Sequence, residues 1–381
     1  MPRNLSLAVL VPLALAIACG SSNPPPNTES TPSDTSARRR QGRDSMFRRN
    51  TVIENNRPDL SARAGLLVIA NQEAASATIL DAATLNTVAT VPVGQGPHEV
   101  AISTDGRWAV VTNYGVQGVP GNTLSVIDLA AEAPSVVRTI DLGQYQRPHG
   151  AVFVQSGTKL LVTSETAQRL LLVDFISGRV DTAMATNGRG SHMVTVQRDG
   201  RRAWTSNILD GTVTEFDVDM RRTKRTYAVA PNVEGISATP GGVQVWVGSN
   251  TNKTVTVVNG ADAKVLGTIS GFGLPYRVGV SRTGRAAMVS DPSSNRIWIY
   301  DVGTRKELAQ IDLAGQKGVG SPAAQTRPQG ITFDPIADYA YVTLHGTNQV
   351  VAVDLRSRKV MGFGGVGAGP DGIGFSPHVR R

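Results

Sequence analysis

The chain has 381 residues, 40 of them Gly, with 18% charged residues and a formal net charge of +8. Eight basic residues and five acids fall in the first 60 positions, so the remaining 321 residues carry only +5, which argues against a nucleic-acid footprint. A single cysteine, Cys19, excludes an intramolecular disulfide.

The N-terminus holds one arginine and then an apolar run from Leu5 to Ala18, too short to span a bilayer comfortably. It ends in Ala16-Ile17-Ala18-Cys19-Gly20, which reads as an export signal with a cysteine at the cleavage point. This stretch resembles the bacterial lipoprotein lipobox. The resemblance implies that residues 1–18 are removed and that Cys19 carries lipid. Gly20 after the cysteine is compatible with outer-membrane sorting, so the periplasm or the cell surface is the expected location. Residues 19–62 are rich in Ser, Pro and Thr, then basic from Arg38 to Arg49, and cannot bury a core. They are expected to form a tether.

A repeat occupies residues 63–381. Seven tetrapeptides, Val-Ile-Ala-Asn, Val-Val-Thr-Asn, Leu-Val-Thr-Ser, Trp-Thr-Ser-Asn, Trp-Val-Gly-Ser, Met-Val-Ser-Asp and Tyr-Val-Thr-Leu, end at Asn71, Asn113, Ser164, Asn207, Ser249, Asp291 and Leu344. A second series ends at Asp81, Asp128, Asp174, Asp217, Asn259, Asp301 and Asp354. Another strand-like stretch follows Pro97, Pro148, Ser191, Val233, Pro275, Pro328 and Pro370, at spacings of 51, 43, 42, 42, 53 and 42 residues. Turn signals such as Asp105-Gly106 and Asp199-Gly200 separate the pieces. Four short antiparallel strands every 42 or so residues predict an all-β chain, a seven-bladed β-propeller of four-stranded blades. The first tetrapeptide has no strand before it, and the strand after Pro370 has no successor. The C-terminal strand is therefore expected to complete the first blade and close the ring.

These tetrapeptides resemble the YVTN propeller family, including YncE-like proteins, over about 315 residues. No Gly-His or Trp-Asp pairs of the WD40 type occur.

Within the repeat, the apolar residues are expected to pack between blades. The Asp series is expected to accept turn N–H groups, and the residues ending the tetrapeptides to be turn formers. Alternate turns fall on opposite faces. One face, the top, collects His98, His149, His192, Glu234, Tyr276, Gln329 and Asp371 at equivalent positions. Arg277, Arg327 and His345 lie nearby, with Glu165, Asn207 and Asp291 as neighbours. Two long loops, Tyr114–Asn122 and Gly315–Arg327, fall there as well.

Such a polar, mixed-charge ring suits a small polar ligand or a peptide. No catalytic or phosphate-binding signature is present, and no cofactor or metal is expected. The predicted function is a lipid-anchored binding or scaffold module, with an envelope protein, a peptide or a small ligand as partner. A monomeric propeller is expected, attached to the membrane through Cys19. A lactonase-like or metal-dependent hydrolase using the same His/Arg/Glu ring is the enzymatic alternative. The YncE-like resemblance also implies single-stranded DNA binding, for which Tyr114, Tyr276 and Arg277 are the top-face candidates.

Overall fold

The computed structural model describes residues 64–319 and 325–378. The expected leader, Cys19 and the expected tether lie outside these residues, as does part of the 315–327 segment. Among the described residues, 28 strands form seven four-stranded antiparallel sheets, the blades of a propeller. Blade 1 is ordered β28 (Pro370–Ser376), β1 (Leu66–Asn71), β2 (Ser76–Asp81) and β3 (Thr87–Pro92). Ser376 pairs with Leu66 and Ile373 with Ile69, so the C-terminal strand closes the ring as expected. The other inner strands are β4 (Pro97–Ile102), β8 (Pro148–Val154), β12 (Ser191–Val196), β16 (Val233–Ala238), β20 (Arg277–Val280) and β24 (Pro328–Phe333), in blades 2 to 7.

The middle strands of each blade are buried on both faces. They therefore read as unbroken apolar runs such as Leu170-Leu171-Leu172-Val173. The outermost strands alternate instead, as in Ser135–Asp141, because one face meets water. Val110, Leu124 and Val126 of blade 2 interlock with Leu160, Val162 and Leu171 of blade 3. Trp204 of blade 4 packs fully buried against Val245 and Val247 of blade 5. Each large side chain buried this way contributes roughly 1.5–3 kcal/mol.

The Asp series behaves as expected. Asp81 Oδ1 accepts from Ala83 N and Thr84 N, Asp174 Oδ1 from Ser177 N, and Asp301 Oδ1 from Thr304 N. Asp128, Asp217, Asn259 and Asp354 do the same in their blades.

Asn71, Asn113 and Asn207 correct the turn-former expectation, whereas Ser249 and Asp291 meet it, accepting from the turn N–H groups of Asn252 and Ser294 at 3.2 Å. Asn71 Nδ2 donates to Ser76 Oγ and Thr78 Oγ1, Asn113 Nδ2 to Thr123 Oγ1 and Ser125 Oγ, and Asn207 Nδ2 to Thr212 Oγ1 and Thr214 Oγ1, all at 2.9–3.0 Å. These positions are already sealed between blades, so each amide needs a protein partner and finds cross-strand hydroxyls. Asp291 also accepts from Gly273 N and Leu274 N of the incoming loop. Neither Asn207 nor Asp291 contributes to the top-face ring. The Tyr114–Asn122 insertion is also not a loop. It lengthens a hairpin, with Gly115 opposite Pro120 and Val116 opposite Val119.

Candidate functional site

Seven inner strands line the central channel, and an irregularity at their starts sets what the channel presents. In blade 2, Pro97 pairs with Asn113 and Val100 with Val111, so His98 and Glu99 together face one residue, Thr112. This is a β-bulge, and bulges re-aim side chains. The same extra residue recurs in blades 1, 3, 4, 5 and 7. The third residue of the tetrapeptide holds the bulge. Thr112 Oγ1 accepts from Glu99 N, Thr163 Oγ1 from Gly150 N, and Ser206 Oγ from Met193 N, at 2.8–3.2 Å. That hydroxyl also reaches the next blade. Thr163 donates to His192 O, Ser206 to Glu234 O and Thr343 to Asp371 O, at 2.6–2.9 Å. Glycine at the bulge lets adjacent inner strands approach. A Cβ on Gly150 would stand 2.7 Å from Val194 N.

The result is one buried cluster near the top of the channel. His98, His149 and His192 lie against one another in sequence, with ring centroids 4.6 and 3.8 Å apart and the rings tilted by 37° and 39°. His98 Nδ1 is 2.7 Å from Asp371 Oδ2. Its Nε2 is 2.7 Å from Gln72 Nε2. His192 Nε2 is 2.7 Å from Glu234 Oε1, and Glu165 Oε2 lies 3.9 Å from its Nδ1. Tyr114 Oη donates to Glu165 Oε2 at 2.7 Å. Arg277 closes the circuit. It donates to Glu234 Oε1 at 2.7 Å and Glu99 Oε1 at 2.9 Å, and lies 3.6 Å from Asp371 Oδ1.

Electrostatics divide the histidines. Burial lowers the pKa of His192, but Glu234 and Glu165 outweigh it and hold His192 at about 9. Burial drives His149 well below the usual histidine range, and the neighbouring His192, His98 and Arg277 push the same way. A neutral imidazole thus lies against a protonated one. Burial would raise Glu234, yet His192 and Arg277 keep it at about 2. Glu99 is pushed up, chiefly by burial and also by Asp371, against the pull of Arg277.

The cluster brings together His98, His149, His192, Glu234, Arg277 and Asp371, with Glu165 from the neighbouring positions. Gln329 is buried at the equivalent place in blade 7. Three candidates stand differently. His345 Nε2 pairs at 3.5 Å with Glu73, an exposed residue at the edge between blades 7 and 1. Arg327 is exposed, and its backbone N–H donates to Asn295. Tyr276 carries the Arg277 guanidinium 4.4 Å above its ring, and Arg147 covers Tyr114 in the same way at 4.6 Å. The two aromatics proposed for base stacking are therefore already capped. Glu99 and Gln72 were not anticipated from the sequence. An ideal strand sends His98 and Glu99 to opposite faces, and only the bulge turns both inward.

Among the described residues, no group of three His, Cys, Asp or Glu is arranged to hold a metal ion. The histidines lie against one another instead of converging on a point. Below Glu99 and Arg277 the channel widens into a cavity of about 570 Å³ that reaches the bottom turns at Thr104, Pro240, Pro335 and Pro377.

No family model matches the chain. No curated protein matches it either. The structure is similar to the crystal structure of a functionally unknown protein from Desulfotomaculum acetoxidans, with a TM-score of 0.68 and 14% sequence identity, covering 82% of this chain and 99% of that one. At that identity the likeness concerns the propeller fold.

Proposed function

We propose that the protein is an exported, lipid-anchored propeller of the YVTN type that acts as a binding module, with its site at the top of the central channel. The observation that carries this reading is the buried cluster. Four carboxylates (Glu99, Glu165, Glu234 and Asp371) surround one guanidinium and three imidazoles at the channel axis. Acceptors outnumber the fixed cation, so the favoured ligand is a small molecule rich in hydroxyl or ammonium donors, reading the layer from His98 and Glu165. Such a layer is also preorganised, because hydroxyls of three neighbouring blades fix the backbone of His192, Glu234 and Asp371. Calorimetric titration with a panel of sugars, amino sugars and amines tests it. Saturable binding of one molecule per chain is expected. A panel without a binder would leave the cluster a structural strut.

A hydrolase reading has one specific observation in its favour. The groups lie within contact distance, and neutral His149 touches protonated His192, a pairing suited to acid–base work. In that case a lactone-hydrolysis assay would give turnover that His98→Ala or Arg277→Gln abolishes. Binding without turnover would favour the module. For single-stranded DNA, the capped aromatics and the carboxylate excess give no support.

A further inference from the structure

We propose that the bottom face of blades 4 to 6, opposite the polar cluster, is a docking surface for an anionic lipid bilayer. The bottom turns of the propeller are divided by charge. In blades 4 to 6 the turns 197–201, 217–221, 239–243, 259–264, 281–285 and 301–306 hold eight basic residues and five acids. In the other four blades the turns 81–86, 103–107, 128–134, 155–158, 174–179, 334–338 and 354–358 hold four basic residues and eight acids. One half of the face is therefore positive and the other negative, although the repeat as a whole is only mildly basic.

Within the positive half, several cations are left over. Arg201 pairs with Asp219 at 3.5 Å and Lys264 with Asp262 at 3.2 Å. Asp199, Asp217 and Asp301 accept N–H groups of their own turns, from Arg201, Met220 and Thr304. Arg221, Arg282, Arg285 and Lys306 are exposed and, among the described residues, have no carboxylate partner. The turns touch one another. Arg198 N donates to Pro240 O at 2.9 Å, and a Cβ on Gly284 would stand 3.1 Å from Pro240 Cδ. Two aliphatic side chains project from this surface, Met220 at 68% exposure and Val243 at 64%. Unpaired cations beside projecting aliphatic groups match a plane of lipid phosphates and the acyl boundary beneath it. Nucleic acid would call for stacking aromatics, and none of these turns carries one.

The described chain also begins on this face. Leu66, the first residue of β1, pairs with Asp81 and Ser376 at the bottom end of blade 1. A lipid on Cys19 would lead into this side, and docking would turn the polar cluster away from the membrane. The inference rests on the anchored reading for that arrangement only.

The test uses the full chain with Cys19→Ser, which removes the one native thiol and any lipid on it. An environment-sensitive fluorophore is placed on Met220→Cys at the bottom of blade 4 or on Leu209→Cys at its top, positions exposed by 68% and 66%. Vesicles of phosphatidylcholine with phosphatidylglycerol should shift the Met220→Cys probe to the blue and leave the Leu209→Cys probe unchanged. Phosphatidylcholine alone should shift neither. Arg221→Gln, Arg282→Gln and Arg285→Gln together should weaken the response of the bottom probe to anionic vesicles at least tenfold. An equal response of the two probes, a bottom probe silent on anionic vesicles, or an undiminished response in the triple variant would overturn the proposal. Because no chain in the assay is lipidated, the outcome does not depend on the anchor at Cys19. All the substituted propeller residues are exposed, so the variants keep the fold.

Discussion

His192 and His149 are adjacent residues with opposite electrostatic roles, and this gives the molecule a characteristic response to pH. His192 is held at about 9 against an ordinary 6.5. Its contribution to stability is full below pH 6.5 and is lost as pH rises toward 9. His149 is neutral in the folded chain, so protonation of the unfolded chain destabilises the fold as pH falls below 6.5. Glu234, held at about 2, adds a loss between its ordinary 4.5 and 2. The melting temperature should therefore fall on both sides of pH 6.5, and His192→Gln should flatten the limb between pH 7 and 9. An unchanged alkaline limb in that variant would show that His192 is not charged in the fold. At this scale the sequence was legible where a residue acts locally. The aspartates before the turns bond within three residues, and their spacing alone revealed them. Asn71, Asn113 and Asn207 bond past the turn to the next strand, five and seven residues on for Asn71 and Asn207 and ten and twelve for Asn113, so a reading confined to the turn misses them.

The inner strand with its bulge is the element on which the site depends. The tetrapeptide supplies three things at once: apolar residues for the blade interface, a hydroxyl that holds the bulge, and a tie to the next blade. Thr163 shows the last two. Its Oγ1 accepts from Gly150 N at 2.8 Å and donates to His192 O at 2.6 Å. Thr163→Val keeps the shape and strands both buried partners, which should cost roughly 2–3 kcal/mol. Chemical denaturation measures that loss. Thr163→Ser retains the hydroxyl and should recover most of it. The strand was visible in the sequence from its Pro-x start and its spacing. The bulge was not, because one extra residue in a six-residue strand leaves the apolar pattern almost unchanged. Glu99 went unnoticed for the same reason.

Across the whole molecule, closure joins the fold to the site. β28 pairs with β1 to complete blade 1, and it also carries Asp371, which contacts both His98 and Arg277. A chain ending at Gly369 loses the closing strand and one wall of the cluster. It should melt at a markedly lower temperature with a broadened transition, and retention of the wild-type melting curve would refute closure. This architecture was legible because a sevenfold repeat imposes its own geometry, and an N-terminal orphan matched to a C-terminal one leaves few alternatives. The depth of the cluster and the hollow beneath it were not legible. Both follow from how far seven inner strands stand from one axis, a distance no single repeat encodes.

Recognition of a ligand by the top cluster is tested most directly at Glu165. It is the cluster carboxylate with the greatest exposure, 19% for its side chain. Glu165→Gln keeps a partner for Tyr114 and should cost about 1 kcal/mol or less of stability. Titrating the ligand identified from the panel into wild type and Glu165→Gln, with melting curves recorded in parallel, separates recognition from support. At least tenfold weaker binding with near-wild-type melting is the predicted result. Wild-type affinity in a variant that melts several degrees lower would contradict it.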